Sequence, residues 1–192
     1  MTRPATAAAS ATGGATAPLL VVDACTVISF GSVARLDLLT DLRRYRVAVP
    51  ELVLQEVQRD PTRAALVAAI ADGGIAVLAV DLAVEAEGHA LAEYDGRVAF
   101  QGRGEAQVLA LARARGLALA SDERRVQRAA ADDPAIGPAR LLNGLALLRE
   151  AVREGRLTVA AASTLFGRLD FAPATTRAIA RAGTTLDAYL AS

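Results

Sequence analysis

The chain has 192 residues, 45 of them Ala, and its 21 acidic side chains are balanced by 21 basic ones, every one an Arg. With 53% hydrophobic and 22% charged residues it can build a buried core, and its length suits one domain with an appendage. The absence of Lys excludes a Walker-type phosphate loop, a Schiff-base enzyme and a phosphoacceptor domain with a helper ammonium. The neutral balance argues against a generally basic nucleic-acid-coating protein, while leaving local basic patches open.

Residues 1–18 are rich in Ala, Thr, Gly and Ser and lack the apolar stretch of a signal peptide. They are expected to form a disordered, low-complexity tail. From Leu19 the pattern changes. LLVVD is a short apolar run ending in Asp, as in a strand buried on both faces. Leu36, Leu39 and Leu42 then predict a helix over Ser32–Tyr45. RVAVP follows as a strand stopped at Pro50, then a helix from Glu51 to about Arg59, closed by Asp60-Pro61. Further helices are expected over Thr62–Ala71 and Leu82–Tyr94, with a strand over Ile75–Val80 between them. A glycine-marked stretch, Gly96–Gly104, leads into a helix over Glu105–Arg115, and LALAS is a fourth strand running to Asp122. A helix over Glu123–Ala131, a weak extended piece near Ile136–Leu141 and a helix over Asn143–Glu154 complete a domain spanning 19–155. Residues 156–192 read as a helical extension, with Thr158–Leu169 and Pro173–Arg181 as its helices. Leu157, Ala161, Leu165 and Leu169 form a stripe that either packs on the domain or serves an oligomer or inhibitor surface.

Short apolar strands alternating with helices imply a three-layer α/β/α sandwich around a central parallel sheet. In such a sheet ligands bind beyond the carboxyl ends of the strands, and there the sequence is acidic. Asp23 ends the first strand and Asp122 the fourth, which puts both at one edge of the sheet. Glu105 opens a helix whose apolar positions Val108, Leu109 and Ala112 turn the same way as itself. Glu56, within ELVLQEV, follows Leu52 and Val53 by four and three residues and falls on or beside a buried face. Each acid also has a local reading. An Asp after a strand caps the next helix, a Glu in a first turn complements the helix dipole, and Glu56 could simply be solvated. Together, four carboxylates at one rim repel one another and call for cations. An all-oxygen set without His or Cys suits Mg²⁺ or Mn²⁺. The lone Cys25 and lone His89 allow neither an internal disulfide nor a zinc site, and both read as structural.

These segments resemble a known family. VVDACTVISF, ELVLQEV, GRGEAQVLALARARG and LALASDERRV are similar, in order, to the four acidic motifs of the PIN domain nucleases. The resemblance runs from Leu19 to about Gly155. It implies a metal-dependent ribonuclease whose Mg²⁺ or Mn²⁺ is held by the catalytic acids Asp23, Glu56, Glu105 and Asp122. Thr26 matches a hydroxyl found shortly after the first Asp, Ser121 precedes the last one, and Glu123 stands where many members carry a second acid. Two divalent ions would offset the repulsion between carboxylates and phosphodiester and activate water, a two-metal mechanism that needs no His or Lys base. The compact size resembles VapC-like toxins of bacterial toxin–antitoxin pairs, which implies an RNA substrate, a small antitoxin protein and a homodimer. The alternatives are a non-catalytic PIN-like binding module and an RNA-processing nuclease without an antitoxin.

Arg97 and Arg103 flank the loop before Glu105, while Arg124, Arg125 and Arg128 follow Asp122. They read either as phosphate contacts around the rim or as solvated helix faces. Phe30, Tyr94 and Phe100 could stack on bases but sit among apolar neighbours and read as core. GRGEAQ lacks the third Gly of a dinucleotide loop and follows no strand. No apolar run reaches the 18 or so residues of a membrane span, so a cytoplasmic protein with no membrane partner is expected.

Overall fold

A computed structural model describes residues 17–96, 103–169, 179 and 182–192. The tail predicted over 1–18 therefore lies almost wholly outside the described residues, as do Arg97, Phe100 and most of the helix predicted over Pro173–Arg181.

Five short strands build one fully parallel sheet. They are β1 (Leu19–Val22), β2 (Arg46–Pro50), β3 (Ile75–Leu78), β4 (Ala118–Ala120) and β5 (Leu141–Leu142), ordered β3-β2-β1-β4-β5. Sequence order reverses at β1, so the switch point of the sheet lies between β1 and β4, where the first and fourth acidic motifs end.

The helices are α1 (Ala24–Ser32), α2 (Asp37–Thr40), α3 (Glu51–Glu56), α4 (Thr62–Ala71), α5 (Glu85–Asp95), α6 (Arg103–Arg115), α7 (Arg124–Asp132), α8 (Gly144–Arg153), α9 (Val159–Phe166) and α10 (Leu186–Ala191). They cover both faces of the sheet and give two apolar cores. Alternation along β1 divides them. Leu20 and Val22 face the core built with α1, α2, α8 and α9, whereas Val21 faces the core built with α5, α6 and α7. Helix α6 is deeply placed along its middle, with Ala106 and every residue from Val108 to Ala112 inaccessible to solvent. Phe30 and Tyr94 are fully buried, in keeping with core roles. Ala162, Leu165, Phe166, Leu169 and Leu190, all beyond residue 155, join the first core. Within the predicted stripe Ala161 faces out and its neighbour Ala162 faces in.

The helix predicted over Ser32–Tyr45 is not formed. Instead α1 starts directly after Asp23, whose Oδ1 accepts the Ala24 N–H at 2.8 Å. It stops where Ala34 takes a left-handed φ of 57° and the Arg35 N–H reaches back to the Phe30 carbonyl at 2.9 Å. Leu36, Leu39 and Leu42 are buried as expected, and Leu38 is buried with them, but a single helical turn and a loop deliver them. The extended piece expected near Ile136–Leu141 is a 3₁₀ turn, Pro138–Arg140, followed by the two-residue β5. Helix α5 begins at Glu85 rather than Leu82, and Leu82 and Val84 are left exposed. Among the described residues no helix is long and apolar enough to cross a membrane.

Candidate active site

β1 delivers Asp23 and β4 delivers Ser121 and Asp122 to adjacent positions, because the ladder continues past both strands. The Asp23 N–H donates to the Ala120 carbonyl at 3.0 Å, and the Ser121 N–H donates to the Leu142 carbonyl at 3.2 Å. Asp23 is 2% exposed. Its Oδ1 caps α1, and its Oδ2 accepts the Ser121 hydroxyl at 2.7 Å and the Cys25 thiol at 3.2 Å. The capping role and the site role thus coexist in one side chain.

Asp122 is held from two sides. Its Oδ1 accepts the Gly144 N–H at the start of α8 at 2.9 Å, and its Oδ2 accepts the Thr26 hydroxyl at 3.1 Å. Burial pushes its carboxyl up to about 6, against the lowering effect of those two donors, and the charge of Asp23 adds to the rise. Thr26 and Ser121, expected as accessory residues, are therefore the hydroxyls that fix the two aspartates.

Glu105 and Glu56 arrive from α6 and α3. Burial of Glu105 raises its carboxyl to about 7. Arg125 opposes the rise, while the charges of Asp23, Glu123 and Glu56 reinforce it. Its Oε2 is buried without a hydrogen-bond partner among the described residues. Glu56, the last residue of α3, is exposed, beside the buried Val53 rather than on a buried face itself, and α3 ends three residues short of the predicted helix. It is nevertheless turned to the rim, where Oε1 accepts the Gly104 N–H of α6 at 3.2 Å. Partial burial and the charge of Asp23 raise its carboxyl as well.

The structure thus brings Asp23, Glu56, Glu105, Asp122 and Glu123 into one electrostatic neighbourhood. Arg125 meets it with Nη2 at 3.2 Å from Glu105 and Nε at 3.3 Å from Glu123. Arg124 and Arg128 are exposed and share with Arg125 and Glu123 an open groove of about 400 Å³. Arg103 is exposed at the first turn of α6. A second groove, of about 540 Å³, is lined by Glu56 together with Ile28, Gln58 and Arg59. His89 sits on the exposed face of α5, 3.9 Å from Glu85.

Three contributors were not legible in the motifs. Cys25 accepts the Asp122 N–H at 3.3 Å and donates to Asp23, so it ties the two aspartates together. Burial and the charge of Asp23 push its thiol up to about 12, which keeps it protonated as a donor. Gly104 matters for lacking a side chain, and Gly144 for its N–H. The Asn-Gly pair after a short apolar run signals a capped helix start, but nothing in it signals an aspartate waiting there.

Among the described residues no group of three or more His, Cys, Asp or Glu side chains is placed so that it could hold a metal ion. The chemistry of the rim donors, as distinct from their placement, suits a hard cation. The set is entirely oxygen at the four rim positions, three of its carboxyls are raised by burial and mutual repulsion, and one buried Glu105 oxygen has no donor among the described residues.

A family model described as "PIN domain" matches residues 19–172. Among solved structures the chain is similar to the crystal structure of PAE2754 from Pyrobaculum aerophilum. The two are 18% identical, with 73% of this chain and 94% of that chain covered at a TM-score of 0.45. No curated protein matches.

Proposed function

The chain belongs to the PIN domain family, a family of nucleases, and from that premise we propose that it is a Mg²⁺- or Mn²⁺-dependent endoribonuclease hydrolysing RNA phosphodiester bonds. The observation that carries this reading is the convergence of Asp23, Glu56, Glu105 and Asp122, from four separate stretches of chain, at the switch point of a parallel sheet.

Each residue then has a defined task. Asp23 and Asp122 would hold the principal cation, kept in place by the start of α1, the start of α8 and the Ser121 and Thr26 hydroxyls. Glu56 and Glu105 would complete the oxygen set, with Glu123 at its margin. When bound, divalent ions supply the positive charge that lets an acidic rim accept a phosphodiester, and they acidify the attacking water. Arg124 and Arg128, exposed beside Glu123, offer planar guanidinium donors to the phosphates flanking the cut, with Arg103 on the α6 side. By the same reading the protein is the toxin of a toxin–antitoxin pair. It would be a cytoplasmic homodimer silenced by a small protein that covers the rim.

Cleavage of an RNA pool by the wild type, Asp23→Asn and Asp122→Asn, with Mn²⁺ and with EDTA, tests the proposal. Wild-type cleavage should require Mn²⁺, and each folded variant should lose at least about 100-fold in rate. Full activity in either variant would refute the assignment. One observation favours a second reading, a non-catalytic binding module. All four oxygens of Asp23 and Asp122 already accept hydrogen bonds within the chain. In that case Mn²⁺ would neither raise the melting temperature nor support cleavage.

A further inference from the structure

The acidic rim has a positive charge against it, Arg125, placed against local preference. α7 opens with Arg124 and Arg125 in its first turn, has no acid there, and its N-cap residue Glu123 makes no capping hydrogen bond. Cations at that end face the positive pole of the helix dipole. The Arg125 side chain folds back from this position to the Glu105 carboxylate, which is only 13% exposed, and to Glu123. The hold on Glu105 is incomplete. It is a contact of 3.2 Å to Oε1, longer than the 2.7–2.9 Å usual between ionised partners, and Oε2 has no hydrogen-bond donor among the described residues. A bidentate arginine would use both oxygens.

Two further facts bear on where the guanidinium can go. The same guanidinium also lies 3.3 Å from the Glu123 carboxylate, so one unit of positive charge is shared between two acids. Beside the pair lies the open groove shared with Arg124 and Arg128, and the Arg125 side chain is one-third exposed to it. We propose that Arg125 is a displaceable internal cation. Its guanidinium holds Glu105 in the metal-free protein, yields that place to a divalent ion, and then turns into the arginine-lined groove to bind an RNA phosphate. This rests on the metal-dependent nuclease reading above, and it assigns Arg125 a positioning role coupled to metal entry. A fixed structural ion pair would instead keep Arg125 on Glu105 throughout.

Mn²⁺ binding to the metal-free protein, followed by the electron paramagnetic resonance of the free ion, separates the two. Arg125→Gln should bind Mn²⁺ about tenfold more tightly, as loss of a competing, partly buried cation implies. Arg125→Lys, which keeps the charge, should stay near the wild type. At saturating Mn²⁺ the Gln variant should show a raised KM for single-stranded RNA, opposite in sense to its gain in metal affinity. A merely structural role would weaken both. Independently of any variant, the Arg125 Nε–H resonance of the wild type should shift on titration with diamagnetic Mg²⁺. Unchanged or weaker Mn²⁺ binding in folded Arg125→Gln overturns the inference. So does a stationary Nε–H signal while the Asp23 and Asp122 amides move, and in both cases the nuclease reading survives. A wild type that takes up no Mn²⁺ overturns both readings together.

Discussion

A Cβ on Gly104 would lie 2.3 Å from Glu56 Oε1 and 2.8 Å from its Cδ. The Glu56 carboxylate can therefore rest on the Gly104 N–H only while position 104 has no side chain. Gly104→Ala should displace the tip of Glu56, a flexible and exposed side chain, and leave the backbone in place. Alanine in a helical turn gains roughly 0.5–1 kcal/mol over glycine, about what one lost hydrogen bond removes. The melting temperature should consequently stay near the wild-type value while Mn²⁺-dependent cleavage falls about tenfold or more, because a misplaced carboxylate costs catalysis far more than stability. Thermal melting and steady-state rates on the same preparation would show the separation, and equal losses in both would count against it. At this scale the aspartates were readable from sequence because each directly ends an apolar strand. Gly104 was visible only as part of a glycine-marked stretch. The Arg125–Glu105 pair could not be read at all, since residues 20 apart meet only through the way α6 and α7 lie against each other.

Helix starts do much of the positioning in this cleft. The side chain of Asn143 caps α8 by accepting the Ala146 N–H at 2.9 Å, and the next N–H, that of Gly144, is donated to Asp122. Asn143→Ala should cost about 1 kcal/mol, or roughly 3 °C in melting temperature for a chain of this size. It should also fray the turn that orients Asp122, slowing cleavage beyond what the stability loss explains. Asn143→Asp restores an acceptor at the cap, and its melting temperature should return to near the wild type. Most elements announced themselves through apolar runs and breakers. The failure over Ser32–Tyr45 has a specific cause. Helix α1 buries Thr26, Ser29 and Gly31 along with its apolar residues, so its inward face does not look apolar. Gly31 is there for close packing, since a Cβ would meet the Thr62 side chain of α4 at 2.2 Å. The leucine spacing that followed α1 was real, but it served a loop folded onto the core.

Zero net charge across the whole chain hides an uneven distribution, with acids gathered at one rim and arginines beside it. The sign of its effect on stability follows from the carboxyl groups. In the metal-free fold Glu105 titrates near 7 and Asp122 near 6, and Glu56 is raised too, whereas the unfolded chain ionises such groups near 4. Between roughly pH 4 and 7 the native state thus holds protons that the unfolded state has released. Stability must fall as pH rises through that window and level off above it. The melting temperature of EDTA-treated protein should accordingly be higher at pH 5 than at pH 8. Divalent ions compete with those same protons, so the rise in melting temperature produced by Mn²⁺ should be small at pH 5 and grow toward pH 8. Glu105→Gln removes the group with the highest pKa of the set. It should flatten the pH dependence of the metal-free protein, raise its melting temperature at pH 8, and shrink the Mn²⁺ effect there. Differential scanning calorimetry of both proteins at the two pH values, with and without Mn²⁺, provides the comparison. A metal-free wild type that is more stable at pH 8 than at pH 5 would mean that the rim carboxylates are already compensated by the protein itself, leaving little electrostatic reason for a cation to bind.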